Sequence, residues 1–226
     1  MIILSYILFP LFIILSIIHL YFCYKENEKW RKITKPTLLL TLGLAVLFYS
    51  PSSYLLYIAC FFCFVGDIFL LFNKNEKIFV VGGTLFLVAH LIHTYLLISR
   101  SGLDHIHFSI YIILGILTIV FGLLSFFLIK PYMKNLDKRT SYSLYVCFLF
   151  INAYFSIVAT IITYNPLYLL VFLGYILYLI SDTTLFITTF HRDIPRRDFP
   201  IMLTYLLAEL SIVLGFILTL NLWKLN

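Results

Sequence analysis

Apolar runs of membrane-crossing length occupy almost the whole chain, and this limits its fold more than any single motif does. Reading for stretches of about 17 to 25 apolar residues gives spans near 2–23, 36–50, 53–72, 78–99, 108–130, 142–163, 166–190 and 200–222. With 62% hydrophobic and 12% charged residues and a mean hydropathy of +1.04, the 226 residues carry more apolar surface than a soluble core could hide. The expected fold is all-α: one transmembrane domain over residues 1–226, an integral membrane bundle of eight helices. The second span is short and is parted from the third only by Pro51 and two serines, so seven helices with a re-entrant piece is the alternative reading. The first span, 22 apolar residues with no basic stretch before it and no small-residue cleavage site after it, reads as a retained helix rather than a signal peptide.

Basic residues give an independent check on that count, because Lys and Arg collect in cytoplasmic loops. Loop 24–35 carries Lys25, Lys29, Arg31, Lys32 and Lys35; loop 73–77 carries Lys74 and Lys77; the 130–141 connection carries Lys130, Lys134, Lys138 and Arg139; loop 191–199 carries Arg192, Arg196 and Arg197. That places 14 of the 16 basic residues on one side, with Arg100 and Lys224 on the other, and puts both termini on the non-cytoplasmic side. Basic loops beside anionic headgroups account for the net charge of +6, and no nucleic-acid partner is called for. Connections this short leave any site to be built from the helices themselves.

Three carboxylates interrupt the apolar sequence: Asp67, Asp182 and Glu209. A carboxylate at membrane depth costs on the order of 3 kcal/mol, so it persists where it faces a polar cavity or carries chemistry. At the helical rise per residue, Asp67 falls roughly 8 Å, Asp182 about 12 Å, Glu209 about 13 Å and His90 about 18 Å from the cytoplasmic ends of their spans. Four ionisable groups on four helices thus share the cytoplasmic half of the bilayer. Helical spacing also places each on a stripe: Gly82, Phe86, His90, His93 and Leu97 in the fourth span; Gly174, Tyr178, Asp182 and Leu185, with Ser181 adjacent, in the seventh; Tyr205 and Glu209 in the eighth; Tyr145, Asn152 and Ser156 in the sixth. The expectation is one polar pocket, ringed by aromatics and open toward the cytoplasmic headgroups.

Each residue also has a bland reading. Asn152 and His93 suit interhelical hydrogen-bonding struts, and Glu209 suits a protonated strut. His19, near the end of the first span, reads as an interfacial residue. Cys60-x-x-Cys63 lies inside a lipid-embedded span without partners at zinc spacing, so all four cysteines read as small packing residues. Asp104, His105 and His107 read as a solvated loop rather than a metal trio. Most of the 17 tyrosines and 2 tryptophans, such as Trp30, Tyr54, Tyr164 and Trp223, read as interface belt or lipid-facing bulk.

The polar positions resemble, in order and over nearly the whole chain, the YhhN family of eight-helix membrane proteins, whose characterised animal members are lysoplasmalogenases. The resemblance lies in Lys35-Pro36 opening the second span, Gly66-Asp67 followed by Ile68-Phe69-Leu70-Leu71, Gly82 with Phe86 and Ala89-His90, Tyr178 with Ser181-Asp182, and Tyr205 with Ala208-Glu209. Two positions depart from it. Three residues after His90 the family usually has a tyrosine where this chain has His93, and at Glu209 it commonly has Gln.

The resemblance implies hydrolysis of a vinyl ether on a lysoplasmalogen, giving a fatty aldehyde and a glycerophospho-alcohol. Such an ether breaks by protonation at its β-carbon, and water then attacks the oxocarbenium-like cation. An acid, a base and a negative field are needed, and two carboxylates divide those tasks when their environments differ, as in glycosidases. Asp67 and Asp182 are the expected catalytic pair, with the two roles unassigned. His90, Glu209, Ser181, Tyr178, Tyr205, Asn152 and His93 are the supporting pocket residues, and Lys35 is the expected headgroup-binding cation. The expected partners are a lysophospholipid or ether-lipid substrate and the surrounding membrane lipids. No cofactor motif is visible, and none is expected: there is no phosphate loop, no Gly-x-Ser-x-Gly and no His-Glu-x-x-His. The same carboxylates and histidines also suit a divalent cation, so metal dependence stays open. The alternatives from other classes are a proton- or ion-coupled transporter, which also places carboxylates in the membrane, and a lipid-binding protein without catalysis.

Overall fold

The computed structural model describes residues 2–50, 53–71, 76–102, 108–132 and 134–223, without the side chains at 76 and 220–223. Among these residues the chain is all-helical: α1 (Ile2–Tyr24), α2 (Glu28–Tyr49), α3 (Tyr54–Leu70), α4 (Glu76–Ser101), α5 (Phe108–Leu128), α6 (Leu136–Thr163), α7 (Tyr168–Phe190) and α8 (Asp198–Trp223). Seven are long and apolar enough to cross a membrane; α3, with 17 residues, is the shorter one. The loop group Asp104, His105 and His107, the cations Lys74 and Lys224, Pro51, and the Trp223 side chain lie outside the described residues.

Helix starts differ from hydropathy boundaries, for a local reason. The second helix opens at Glu28 rather than at Lys35-Pro36, because Asn27 caps it, accepting a hydrogen bond from the Trp30 backbone N–H at 3.2 Å. Glu28 in its first turn favours the positive helix end and pairs with Lys32 at 2.6 Å. Pro36 therefore lies inside the helix, and much of the expected cytoplasmic loop 24–35 is a charged helical extension. Asn135 does the same for α6, accepting from the Lys138 N–H at 3.0 Å, so Lys138 and Arg139 are helical as well. The short helix is thus the third rather than the second.

The fold divides into two compact units. The first comprises Met1–His93 with Asp198–Leu203. Here α1 packs on α2 and α2 on α3, and glycines bring α3 against α4. A Cβ added at Gly66 would meet the Phe86 ring at 2.9 Å and the Gly82 carbonyl at 3.2 Å; one added at Gly82 would meet Leu70 at 3.0 Å and the Gly66 carbonyl at 3.3 Å. In lipid, helices associate through such close packing and through polar contacts rather than through a hydrophobic drive. The start of α8 is held by an Arg31–Asp198 ion pair and by the Tyr24 ring set edge-on to Phe199 at 5.7 Å.

The second unit comprises Thr94–Arg197 with Thr204–Asn226. In it α6 packs between α5 and α7. A Cβ at Gly174 would meet Ile212 at 2.5 Å and the Ala208 carbonyl at 2.9 Å, so α7 and α8 lie in close contact. Ile129, Tyr142 and Val146 form a buried cluster covered by Phe121, Leu179, Phe186, Ile187 and Phe190. The outer face of α5 is the opposite case: Ile112, Ile116, Ile119, Leu123 and Leu128 are exposed, which suits a helix bathed in lipid.

Candidate functional site

In the first unit the polar core begins with an ion pair. Lys35, two turns into α2, places its ammonium nitrogen 3.1 Å from Asp67 Oδ1 near the end of α3. Asp67 is 2% exposed and Lys35 15%. The adjacent Gly66 fixes this stretch of α3 against α4, so the carboxylate is carried on a rigid support. His90 and His93 are both buried on α4, with ring centroids 6.2 Å apart. These three sequence-picked residues and Lys35 therefore belong to one unit.

That unit holds a second polar array. His19 Nδ1 lies 2.6 Å from Thr34 Oγ1, while the Thr34 hydroxyl lies 2.8 Å from the Trp30 carbonyl. A hydroxyl has one proton to give; with it on the carbonyl, the Thr34 oxygen accepts from His19 Nδ1–H. His19 Nε2 is then the acceptor facing the Cys23 thiol at 3.4 Å. His19 and Cys23 are each 1% exposed. His19, expected near the membrane interface, is packed into the α1–α2 contact by its hydrogen bond to Thr34 of α2. Cys23 likewise does more than fill space. No disulfide joins the four cysteines.

In the second unit Asp182, half-buried on α7, accepts a hydrogen bond from the Tyr145 hydroxyl on α6 at 2.7 Å. One residue on, Thr183 bonds the Tyr142 hydroxyl at 2.8 Å, so two tyrosines one turn apart clamp this stretch of α7. Glu209 is fully buried on α8 and accepts from the Tyr178 hydroxyl of α7, whose ring lies edge-on to Tyr205 at 5.7 Å. The tight approach at Gly174, one turn before Tyr178, allows that contact. Ser181 is buried beside Asp182. Asn152, also buried, ties α6 to α4 by accepting from Thr94 at 3.1 Å and donating to the Phe148 carbonyl at 3.0 Å.

Sequence reading therefore located the carboxylates but not their donors. Tyr145 lies on the expected inward stripe of its helix, and that stripe was the available signal; nothing in sequence pairs it with a residue 37 positions away. Lys35, expected to bind a lipid headgroup, places its ammonium on Asp67. Tyr178 and Tyr205, expected among the pocket residues, are buried, and so are Tyr142, Tyr168 and Tyr175, which the sequence did not single out; each brings a ring for packing and a hydroxyl that needs a partner. Trp30, Tyr54 and Tyr164 are exposed. Among the described residues, no three His, Cys, Asp or Glu side chains gather as a metal-binding group.

Neither the curated proteins nor the solved structures give a match to this chain. The family comparison does. The YhhN family model matches residues 30–216, a stretch that includes Lys35, Asp67, His90, Asp182 and Glu209, and the chain belongs to the YhhN family.

Proposed function

We propose that this protein is an intramembrane hydrolase that cleaves the vinyl ether of lysoplasmalogens of choline or ethanolamine, releasing a fatty aldehyde and a glycerophospho-alcohol. The observation that carries the reading is that each aspartate of the family pattern is held by a side-chain donor within the helices, Asp67 by Lys35 and Asp182 by Tyr145. Family membership supports the substrate class. A carboxyl group protonates the β-carbon of the alkenyl chain, a second carboxylate balances the oxocarbenium charge and takes a proton from the attacking water, and the resulting hemiacetal collapses to aldehyde and alcohol. Protons and water suffice for this sequence, and no cofactor is called on. In this reading all eight helices cross the bilayer with both termini on the non-cytoplasmic side. The segregation of 14 of 16 basic residues supports that orientation.

Asp67→Asn and Asp182→Asn test the mechanism, because an amide keeps the shape and loses the proton traffic. Each should lower kcat by about a hundredfold or more in protein that still inserts and folds. If either variant keeps full activity, the two-carboxylate mechanism is wrong. A proton- or ion-coupled carrier would instead release no aldehyde and show gradient-dependent flux that the same substitutions abolish.

A further inference from the structure

Resting on the hydrolase reading, we infer that the substrate lies along the seam between α6 and α7, with its phosphate on Lys138 and its alkenyl ether at Asp182.

The seam is built from side chains that face each other across two neighbouring helices of the second unit. Lys138, in the first turn of α6 after the Asn135 cap, sets its ammonium 4.5 Å over the ring of Phe190, the last residue of α7. One turn further in, the Phe186 ring lies 5.1 Å from Tyr142 and 6.0 Å from Phe190. Beyond that the Tyr145 hydroxyl donates to Asp182 at 2.7 Å, while its ring stays 6.2 Å from Phe186. A cation, a run of aromatic rings and a carboxyl group thus follow one another along one line within one compact unit. Tyr145, Asp182, Phe186 and Phe190 are each only half-buried, so the seam can be reached from outside the fold.

A lysophospholipid presents its parts in the same order: an anion, a short polar glycerol, then an apolar chain. From Phe190, under the Lys138 ammonium, back to Asp182 the helical rise amounts to about 12 Å. In a lysoplasmalogen the phosphorus and the β-carbon of the ether are joined through the glycerol by a chain that reaches roughly 8 Å when extended. A contact of about 3 Å at each end covers the remainder. The vinyl ether therefore reaches the Asp182 carboxyl group while the phosphate sits on Lys138.

Lys138 also suits a phosphate chemically. The face of a phenyl ring attracts an ammonium without using a hydrogen-bond lone pair, and an ammonium has several N–H donors. Phe190 therefore fixes where the cation stands and still lets it donate to phosphate oxygens, a contact strengthened by charge on both sides. Lys35, the cation that the sequence suggested for the headgroup, is held by Asp67 at 3.1 Å instead.

A contact made equally in the ground state and the transition state acts on KM and not on kcat. Lys138→Met should therefore raise KM for lysoplasmenyl-choline by about tenfold with kcat changed by less than about twofold, and Lys138→Arg should recover most of the loss. A 1-alkenylglycerol, which has the vinyl ether and no phosphate, should be hydrolysed equally well by the wild type and Lys138→Met. Lys134→Met, which removes an exposed cation before the same helix, should behave as the wild type. An equal rise in KM for Lys134→Met would mean diffuse attraction to the basic rim and overturn the proposal. Unchanged KM in Lys138→Met, or the same penalty on the 1-alkenylglycerol, would overturn it as well. A readout without catalysis separates this inference from the reading it rests on. A 1-alkyl lysophosphatidylcholine, which has no vinyl group to protonate, should form adducts with purified protein in native mass spectra, and Lys138→Met should weaken them by about tenfold. Adducts that depend on Lys138 in protein that releases no aldehyde would refute the hydrolase reading and leave the lipid seat in place. Aldehyde release with KM and adducts indifferent to Lys138 would refute the seat and leave the hydrolase.

Discussion

At the residue scale, the site is distinguished by what each carboxylate touches. Tyr145 gives the sharpest test, because Tyr145→Phe removes one hydroxyl and keeps the ring that lies 6.2 Å from Phe186. A hydrogen bond of this kind is worth about 0.5–1.5 kcal/mol net, so kcat should fall by about threefold or more in protein that still folds. Unchanged kcat in purified Tyr145→Phe would show that the bond to Asp182 is not used in the reaction. Glu209→Gln, which puts the family's usual residue in place, keeps an acceptor for the Tyr178 hydroxyl. Its melting temperature in detergent should stay close to that of the wild type, and a large loss would show that the negative charge itself is structural. The carboxylates and histidines were legible in sequence because an ionisable group in an apolar run has few innocent explanations. Their donors were not, because Lys35 and Asp67 lie 32 positions apart and only the register of α2 on α3 makes them neighbours.

At the element scale, close helix contacts are set by glycine and helix beginnings by asparagine. Gly66→Ala should destabilise the protein by about 1–3 kcal/mol, since the added methyl group must displace the Phe86 ring or the α4 backbone. Gly83→Ala is the internal control, because nothing lies within 4 Å of a Cβ there. A lower melting temperature for Gly66→Ala with an unchanged one for Gly83→Ala is the expected pair of results; equal effects would mean that the α3–α4 contact is looser than described. Hydropathy revealed where apolar helix runs, and so recovered every element. It could not reveal where α2 and α6 begin, since their first turns are charged and are stabilised by Asn27 and Asn135 rather than by burial. Asn27 followed by Glu28 was the local signal available.

At the scale of the whole molecule, the segregation of basic residues is what supports the proposed orientation. Single cysteines at Lys29 and Arg196, in a background where the four native cysteines are replaced, should resist membrane-impermeant thiol reagents applied to intact cells and react once the membrane is opened. Efficient labelling of intact cells at either position would reverse the proposed topology. The all-helical class and the family were both readable from the chain, because spans of fixed length and a handful of polar positions in order are long-range signals that survive without knowledge of packing. The reaction was legible only through the resemblance, since paired carboxylates serve many chemistries.

The most direct test of the central claim is to give purified protein lysoplasmenyl-choline and lysoplasmenyl-ethanolamine in deuterium oxide and to examine the products by mass spectrometry. Hydrolysis through protonation of the β-carbon predicts free fatty aldehyde carrying one deuteron on the carbon beside the carbonyl, together with the matching glycerophospho-alcohol. Lipids left intact by folded protein, with and without added divalent ions, would contradict the assignment.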